Sequence, residues 1–223
     1  MPARPWRAER AALAALAFGA AQALAGAQQY EVLTASVRAS LAQAVNDRST
    51  VDMRDMDTRA WVRAMTRRVA GRFPDEEAAR EFLALARYEA LRAGLDPHLV
   101  LAVIDVESRF RKYAVSKAGA RGLMQVMPFW VREIGAPGQN LFHERTNLRY
   151  GCTILRHYLD RERGNVANAL ARYNGSLGQA DYPNRVLKSL RERWALAATH
   201  ALAGGRERVV SSRNFSVTRP TRS

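Results

Sequence analysis

The chain has 223 residues, enough for one or two domains with a sizeable core. Hydrophobic residues make up 48% and charged residues 25%, which excludes a fully disordered or fibrous chain. One cysteine, Cys152, and four scattered histidines exclude an intramolecular disulfide framework and a multi-cysteine zinc site, and neither GxxxxGK(S/T) nor GxGxxG occurs. No metal and no cofactor are therefore expected. The 35 Lys+Arg against 21 Asp+Glu give a formal net charge of +14. Such a balance suits either a solvated basic face or an anionic polymer as partner. Charge alone does not choose among nucleic acid, acidic lipid and a glycan carrying peptide carboxylates.

The N-terminus reads as an export signal over residues 1–27. Arg4, Arg7 and Arg10 precede an apolar stretch from Ala11 to Ala25, and Ala25-Gly26-Ala27 is a small-x-small cleavage site before Gln28. No cysteine follows the stretch to take a lipid. No later run approaches the roughly 20 apolar residues of a membrane span. The mature protein is expected to be periplasmic, without a transmembrane anchor, and that context disfavours nucleic acid as partner.

Helical patterns follow. Apolar positions at Val32, Val37, Leu41 and Val45 predict a helix over 30–46, and Trp61, Met65 and Val69 predict one over 57–71. Pro74-Asp75-Glu76-Glu77 is a helix start with acids in its first turn, and that helix carries Phe82, Leu85 and Tyr88 before stopping at Gly94. Asp96-Pro97 starts the next, with Asp as N-cap and Pro at the first helical position. Residues 111–122 break the pattern with Gly119 and Gly122. Further helices fit 122–134, 146–162, 165–173 and 184–201. After Gly204 the chain is arginine, serine and threonine, expected to be a disordered basic tail over 204–223. No alternating run marks a strand, so the fold class is all-α.

One carboxylate lies on an apolar face. On the helix from Pro97, Glu107 stands seven, four and three residues beyond Val100, Val103 and Ile104. Desolvation there favours the neutral acid, the state that donates a proton near neutral pH. Asp105, about 200° around the helix at roughly 100° per residue, is expected to face elsewhere. A helix-terminal acid paired with Arg109 or Arg111 would give the same periodicity.

The run around Glu107 shifts the balance toward the acid. Glu107-Ser108-Arg109-Phe110 is followed by Ala114, Ser116, Gly119-Ala120 and Gly122-Leu123-Met124-Gln125-Val126-Met127-Pro128. Asn147, Gly151, Ala171-Arg172-Tyr173-Asn174-Gly175, Tyr182 and Val186 come later. This succession resembles the catalytic domain of the soluble-type (SLT) lytic transglycosylases, a branch of the lysozyme-like superfamily, over about 85–195. Arg172 and the proline after Tyr182 depart from the family's usual residues.

The resemblance implies a lysozyme-like (goose-type) catalytic domain over 85–203, with residues 28–84 as an N-terminal helical extension. It implies that Glu107 is the only catalytic carboxylate. Glu107 would protonate the oxygen between MurNAc and GlcNAc in peptidoglycan strands, then take the proton from the MurNAc C6 hydroxyl as a 1,6-anhydro end forms. Two-carboxylate glycosidases work differently. Ser108 would hydrogen-bond near the cleaved bond, or bond backbone as a helix-terminal hydroxyl. Gly122 would allow close approach to the sugar, and Met124 would form an apolar wall. Gln125 would offer a donor and an acceptor. Tyr173 and Asn174 would bind sugar, and the Tyr182 hydroxyl would reach Glu107. Cys152 would be an inert buried thiol.

Two alternatives stay open. One is a hydrolytic muramidase on the same fold. The other is a non-catalytic glycan-binding or secretion-assembly protein, against which Glu107 and Gln125 argue. The sequence does not choose between wall turnover and service to a secretion or wall-synthesis assembly.

Overall fold

The computed structural model describes residues 28–47 and 56–195, which form eight α-helices and no strand. The expected signal peptide and basic tail, and residues 196–201 of the last expected helix, lie outside the described residues.

Short capping signals set most helix ends. Residues 28–34 are not helical, and Val32, expected on an apolar face, is 84% exposed. Helix α1 (Ala35–Asn46) starts only where the Thr34 side chain accepts from the Val37 N–H at 3.4 Å. Helix α2 (Met56–Thr66) buries Trp61, Val62 and Met65 and tightens into a 3₁₀ turn at Arg67–Val69. Helix α3 (Glu76–Arg92) is capped by Asp75, which accepts from Ala78 N–H at 2.8 Å, with Glu76 and Glu77 in its first turn. Helix α4 (Pro97–Glu107) is capped by Asp96, which accepts from His98 N–H at 2.9 Å.

The stretch 108–128 turns repeatedly, with isolated antiparallel pairings between Val115 and Arg121 and between Arg121 and Val126. Helix 122–134 forms only as α5 (Phe129–Ile134). Left-handed backbone at Gly122 (φ +76°) and Gln125 (φ +49°) prevents the earlier start. Helices α6 (Glu144–Arg161) and α7 (Val166–Asn174) follow. Helix α8 (Asp181–Ser189) starts before the expected 184 and passes into a π turn, Leu190–Trp194. Pro183 sits in its first turn, where a missing N–H leaves no intrahelical bond unmade.

Helix α4 runs through the centre, packed against α3, α8 and the π turn, while α6 packs on α1, α3 and α7. Val100 through Ile104 are fully buried, so α4 has apolar contact on every side. Residues from 28–84 and from the later segment share one hydrophobic core, with Val45, Met65 and Val69 in the same cluster as Leu101, Leu148 and Ile154. Truncating one such Leu to Ala costs about 2–5 kcal/mol.

Two buried carboxylates hold the helices together. Glu89 on α3 is fully buried and accepts from Arg149 of α6 at 2.7 Å and from Arg92 at 2.8 Å. Asp105 on α4 is 5% exposed and binds Arg72, Ser189 and Arg193 at 2.8–3.0 Å. Asp105 thus faces elsewhere than Glu107, but into the protein, where it ties α4 to the end of α8.

Candidate active site

Helix α4 ends at Glu107, so the carboxylate stands where the central helix leaves the core. Glu107 is part-buried. Its Oε1 accepts from the Tyr182 hydroxyl at 2.6 Å, across 75 residues of sequence. Burial is the main influence on the carboxyl and pushes its pKa up to about 7. The Tyr182 hydrogen bond and the Arg185 charge pull it part of the way back. Arg185 lies over the Tyr182 ring, 5.7 Å from its centre. The arginines of the helix-terminal alternative do not pair with Glu107 in the described structure. Arg111 instead donates to the Ser108 carbonyl at 3.0 Å. The result is a carboxyl group that changes protonation near neutral pH, oriented by a neutral phenol rather than locked by a guanidinium.

Tyr182 is 2% exposed, and burial together with Glu107 raises its pKa well above the ordinary value. It therefore acts as a donor and stays protonated. Its place follows from α8: Tyr182 and Val186 are four residues apart and both buried.

The 122–128 turn is built by protein contacts. Met124 N–H donates to Asn147 Oδ1 at 2.8 Å, and Asn147 Nδ2 donates to the Arg121 and Leu141 carbonyls, each at 2.8 Å. Asn147 stood among the motif residues, yet its hub position shows only once α6 is in place. Gln28 Oε1 accepts from Met127 N–H at 3.1 Å, and Gln29 donates to the Gly175 carbonyl at 3.2 Å. No sequence signal marked either glutamine for this role.

Several expected site residues have partners within the protein. At Gly122 the chain itself needs the space: a Cβ there would meet the Asn147 amide and lie 2.6 Å from the Leu141 carbonyl. Met124 forms no open wall; it is fully buried against Gly151, where a Cβ would strike its sulfur. Tyr173 is 1% exposed and its hydroxyl donates to the Met124 carbonyl at 2.7 Å. Ser108 takes the backbone-bonding alternative, donating to the Ile104 carbonyl at 3.2 Å while 1% exposed. Gln125 spends its amide N–H groups on the Ala114 and Gly122 carbonyls, at 3.1 and 2.9 Å. Asn174 is 8% exposed at the end of α7, which Gly175 caps in left-handed backbone (φ +72°). Of the eight expected residues, Glu107 and Tyr182 make the contact with acid–base character.

Cys152 is fully buried, and burial pushes its thiol far above the ordinary range. Among the described residues no group of three or more His, Cys, Asp or Glu is placed to hold a metal. No described helix is long and apolar enough to cross a membrane.

Residues 84–194 match the family model described as the transglycosylase SLT domain. The chain belongs to this family. Relatives agree with the match. The transglycosylase of Enterobacteria phage PRD1 is 37% identical over 103 residues, 43% of this chain and 38% of the phage protein. Membrane-bound lytic murein transglycosylase C of Yersinia pestis (strain Pestoides F) is 32% identical over 119 residues, 46% of this chain and 33% of its own length. The protein of that name from Actinobacillus pleuropneumoniae serotype 5b (strain L20) is 53% identical over 53 residues, 24% of this chain and 14% of its own length. The SLT chain thus spans well under half the length of these relatives.

Proposed function

We propose that this SLT chain is an exported peptidoglycan lytic transglycosylase that cleaves the MurNAc–GlcNAc β-1,4 bond and leaves a 1,6-anhydroMurNAc end. The observation that carries the reading is Glu107, a part-buried carboxyl with a pKa near 7 held by a tyrosine hydroxyl. Near neutrality about half of it is protonated, so it can give a proton to the bridging oxygen and afterwards accept one. The substrate's acetamido group stabilises the charge that develops at C1. The C6 hydroxyl of the same MurNAc then closes on C1 while the ionised Glu107 takes its proton. That nucleophile is tethered to the reacting ring, so it has a proximity advantage over bulk water.

A single-carboxylate reaction agrees with the pairing of several other acids. Asp105 is engaged by Arg72 and Arg193, and Glu133, Glu144, Asp160 and Glu162 are each within ion-pair distance of a cation. A basic chain suits a wall polymer with peptide carboxylates. The names of its relatives, lytic murein transglycosylase among them, support that substrate class. The arginine-flanked apolar stretch and small-x-small site before Gln28 support export to the periplasm with Gln28 as the mature N-terminus.

Digestion of purified peptidoglycan followed by mass analysis tests the reading. The expected muropeptides end in 1,6-anhydroMurNAc, are one water lighter than hydrolytic products and resist borohydride reduction. Uniformly reducible products would replace this reading with a hydrolytic muramidase.

A further inference from the structure

We infer that residues 28–31 are a strap that fixes two segments of the site, the 122–128 turn and the end of α7, and that Gln28 is a positioning residue for the reaction proposed above, a role that rests on that reading.

The strap spends its polar groups on these segments and their neighbours. Residues 28–34 are not helical. Gln28 Oε1 accepts from Met127 N–H at 3.1 Å, and Gln29 donates to the Gly175 carbonyl at 3.2 Å. Consecutive Cα atoms lie roughly 3.8 Å apart, so one short piece of chain joins two segments distant in sequence. Tyr30 meets the Phe129 ring edge-on, with ring centres 5.6 Å apart. Glu31 pairs with Arg161 at the end of α6 and with Arg172 of α7, the latter at 3.2 Å. Arg172 departs from the family's usual residue, and here it has a partner on the strap.

Burial of Gln28 is not explained by stability. Gln28 is 4% exposed, and its Nε2 is buried without a hydrogen-bond partner in the described structure. Enclosing a carboxamide with a donor unmatched is unfavourable. What the side chain provides is an acceptor for Met127 N–H. The rest of the strap buries little: Tyr30 and Val32 are exposed, and only Leu33, beyond it, joins the core.

Tyr173 connects the strap to the chemistry. The 122–128 turn is held at Met124 by Asn147 and by the Tyr173 hydroxyl. Gln28 holds the far end of the same turn at Met127, and Gln29 holds Gly175, two residues after Tyr173. Tyr173 lies within electrostatic reach of Glu107, whose charge adds to burial in raising the phenol's pKa, while the Gln28 side chain pulls it part of the way back. Loosening the strap therefore lets the turn and Tyr173 shift relative to the acid. A misplacement of about 1 Å, originating away from the reacting atoms, can lower a rate by about 10²-fold.

Two substitutions in the full chain test the role. Gln28→Met keeps the length of the side chain without the acceptor, and Gln28→Glu keeps an oxygen that can accept from Met127 N–H. In Gln28→Met, kcat of the folded fraction on purified peptidoglycan is expected to fall about tenfold while KM stays within about twofold of wild type. Gln28→Glu is expected to recover most of that kcat. Exchange of the Met127 amide hydrogen, followed by NMR without substrate, is expected to quicken about tenfold in Gln28→Met and to stay near wild type in Gln28→Glu. An unchanged kcat in Gln28→Met overturns the positioning role, as does a Gln28→Glu variant no better than Gln28→Met. A kcat that returns to the wild-type value well below the melting transition also overturns it, since the role is then structural. A rise in turnover overturns it too, because the strap would then be covering the site. Failure of wild type to cleave peptidoglycan strikes the proposed reaction instead, and unchanged Met127 exchange in Gln28→Met overturns the strap independently of that.

Discussion

Glu89 and Glu107 occupy comparable positions in their helices and meet opposite surroundings. Glu89 stands seven, four and three residues beyond Phe82, Leu85 and Ala86, and Glu107 stands at the same offsets beyond Val100, Val103 and Ile104. Both therefore fall on a face turned toward the core. Glu89 lies mid-protein, and the guanidinium groups of Arg92 and Arg149 surround it at hydrogen-bond distance. Glu107 ends its helix, and its hydrogen-bond partner is a neutral phenol. Burial alone does not make a catalytic acid. A carboxylate enclosed by fixed cations has a structural role, whereas one desolvated beside a hydroxyl can gain and lose a proton near pH 7.

Removing each carboxylate sharpens the contrast. Glu107→Gln is expected to fold normally and to lose peptidoglycan-clearing activity by at least about 10³-fold, because the amide can neither donate nor accept the catalytic proton. Its stability should move the other way. The raised pKa means that the folded state favours the protonated carboxyl. Glu107 therefore adds stability below about pH 4.5, and that contribution is lost as pH rises through about 7. Above pH 7 the glutamine variant is expected to melt higher than wild type, by roughly 1–3 kcal/mol in unfolding free energy. A variant that clears wall at a rate near wild type would remove Glu107 from the mechanism.

Glu89→Gln is expected to behave in reverse. It leaves Arg149, 7% exposed, facing an uncharged amide in the core. The cost is about 3–5 kcal/mol, seen as a fall in melting temperature, with kcat of the folded fraction near that of wild type. A loss of kcat without a loss of stability would erase the distinction between the two carboxylates.

Tyr182→Phe tests the partner rather than the acid. The ring and its packing remain, while the hydrogen bond to Glu107 goes. That bond pulls the Glu107 pKa down, so its loss should raise the pKa and shift the alkaline limb of the pH–activity profile upward. A fall in kcat of about 10- to 100-fold is expected from lost orientation. An unshifted limb would mean that Tyr182 only packs.

What was legible in the sequence follows the range of the forces involved. Asp75, Asp96 and Gly94 set helix ends through atoms two to five residues away, so those boundaries could be read directly. The segment 122–128 imitates a helix, with Leu123, Val126 and Met127 at helical spacing. Hydrogen bonds from Asn147, more than 20 residues distant, override that local pattern. The motif residues were found as a set, but their contacts within the protein were not. Met124 and Tyr173 turn inward and serve the site through the Tyr173 hydroxyl on the Met124 carbonyl, a contact across 49 residues. Periodicity marked Glu107 as buried. What separates it from Glu89 is the identity of partners 60 and 75 residues away, which no local pattern encodes.

The central claim is that Glu107 is held as an acid poised near neutrality. Carboxyl-carbon NMR across pH 3–9, assigned by comparison with Glu107→Gln, measures it without any substrate. The account predicts a Glu107 resonance that titrates with a midpoint near 7 and is missing from the variant spectrum. A midpoint at the ordinary glutamate value of about 4.5 would contradict it, because the carboxyl would then be ionised when the bridging oxygen needs its proton.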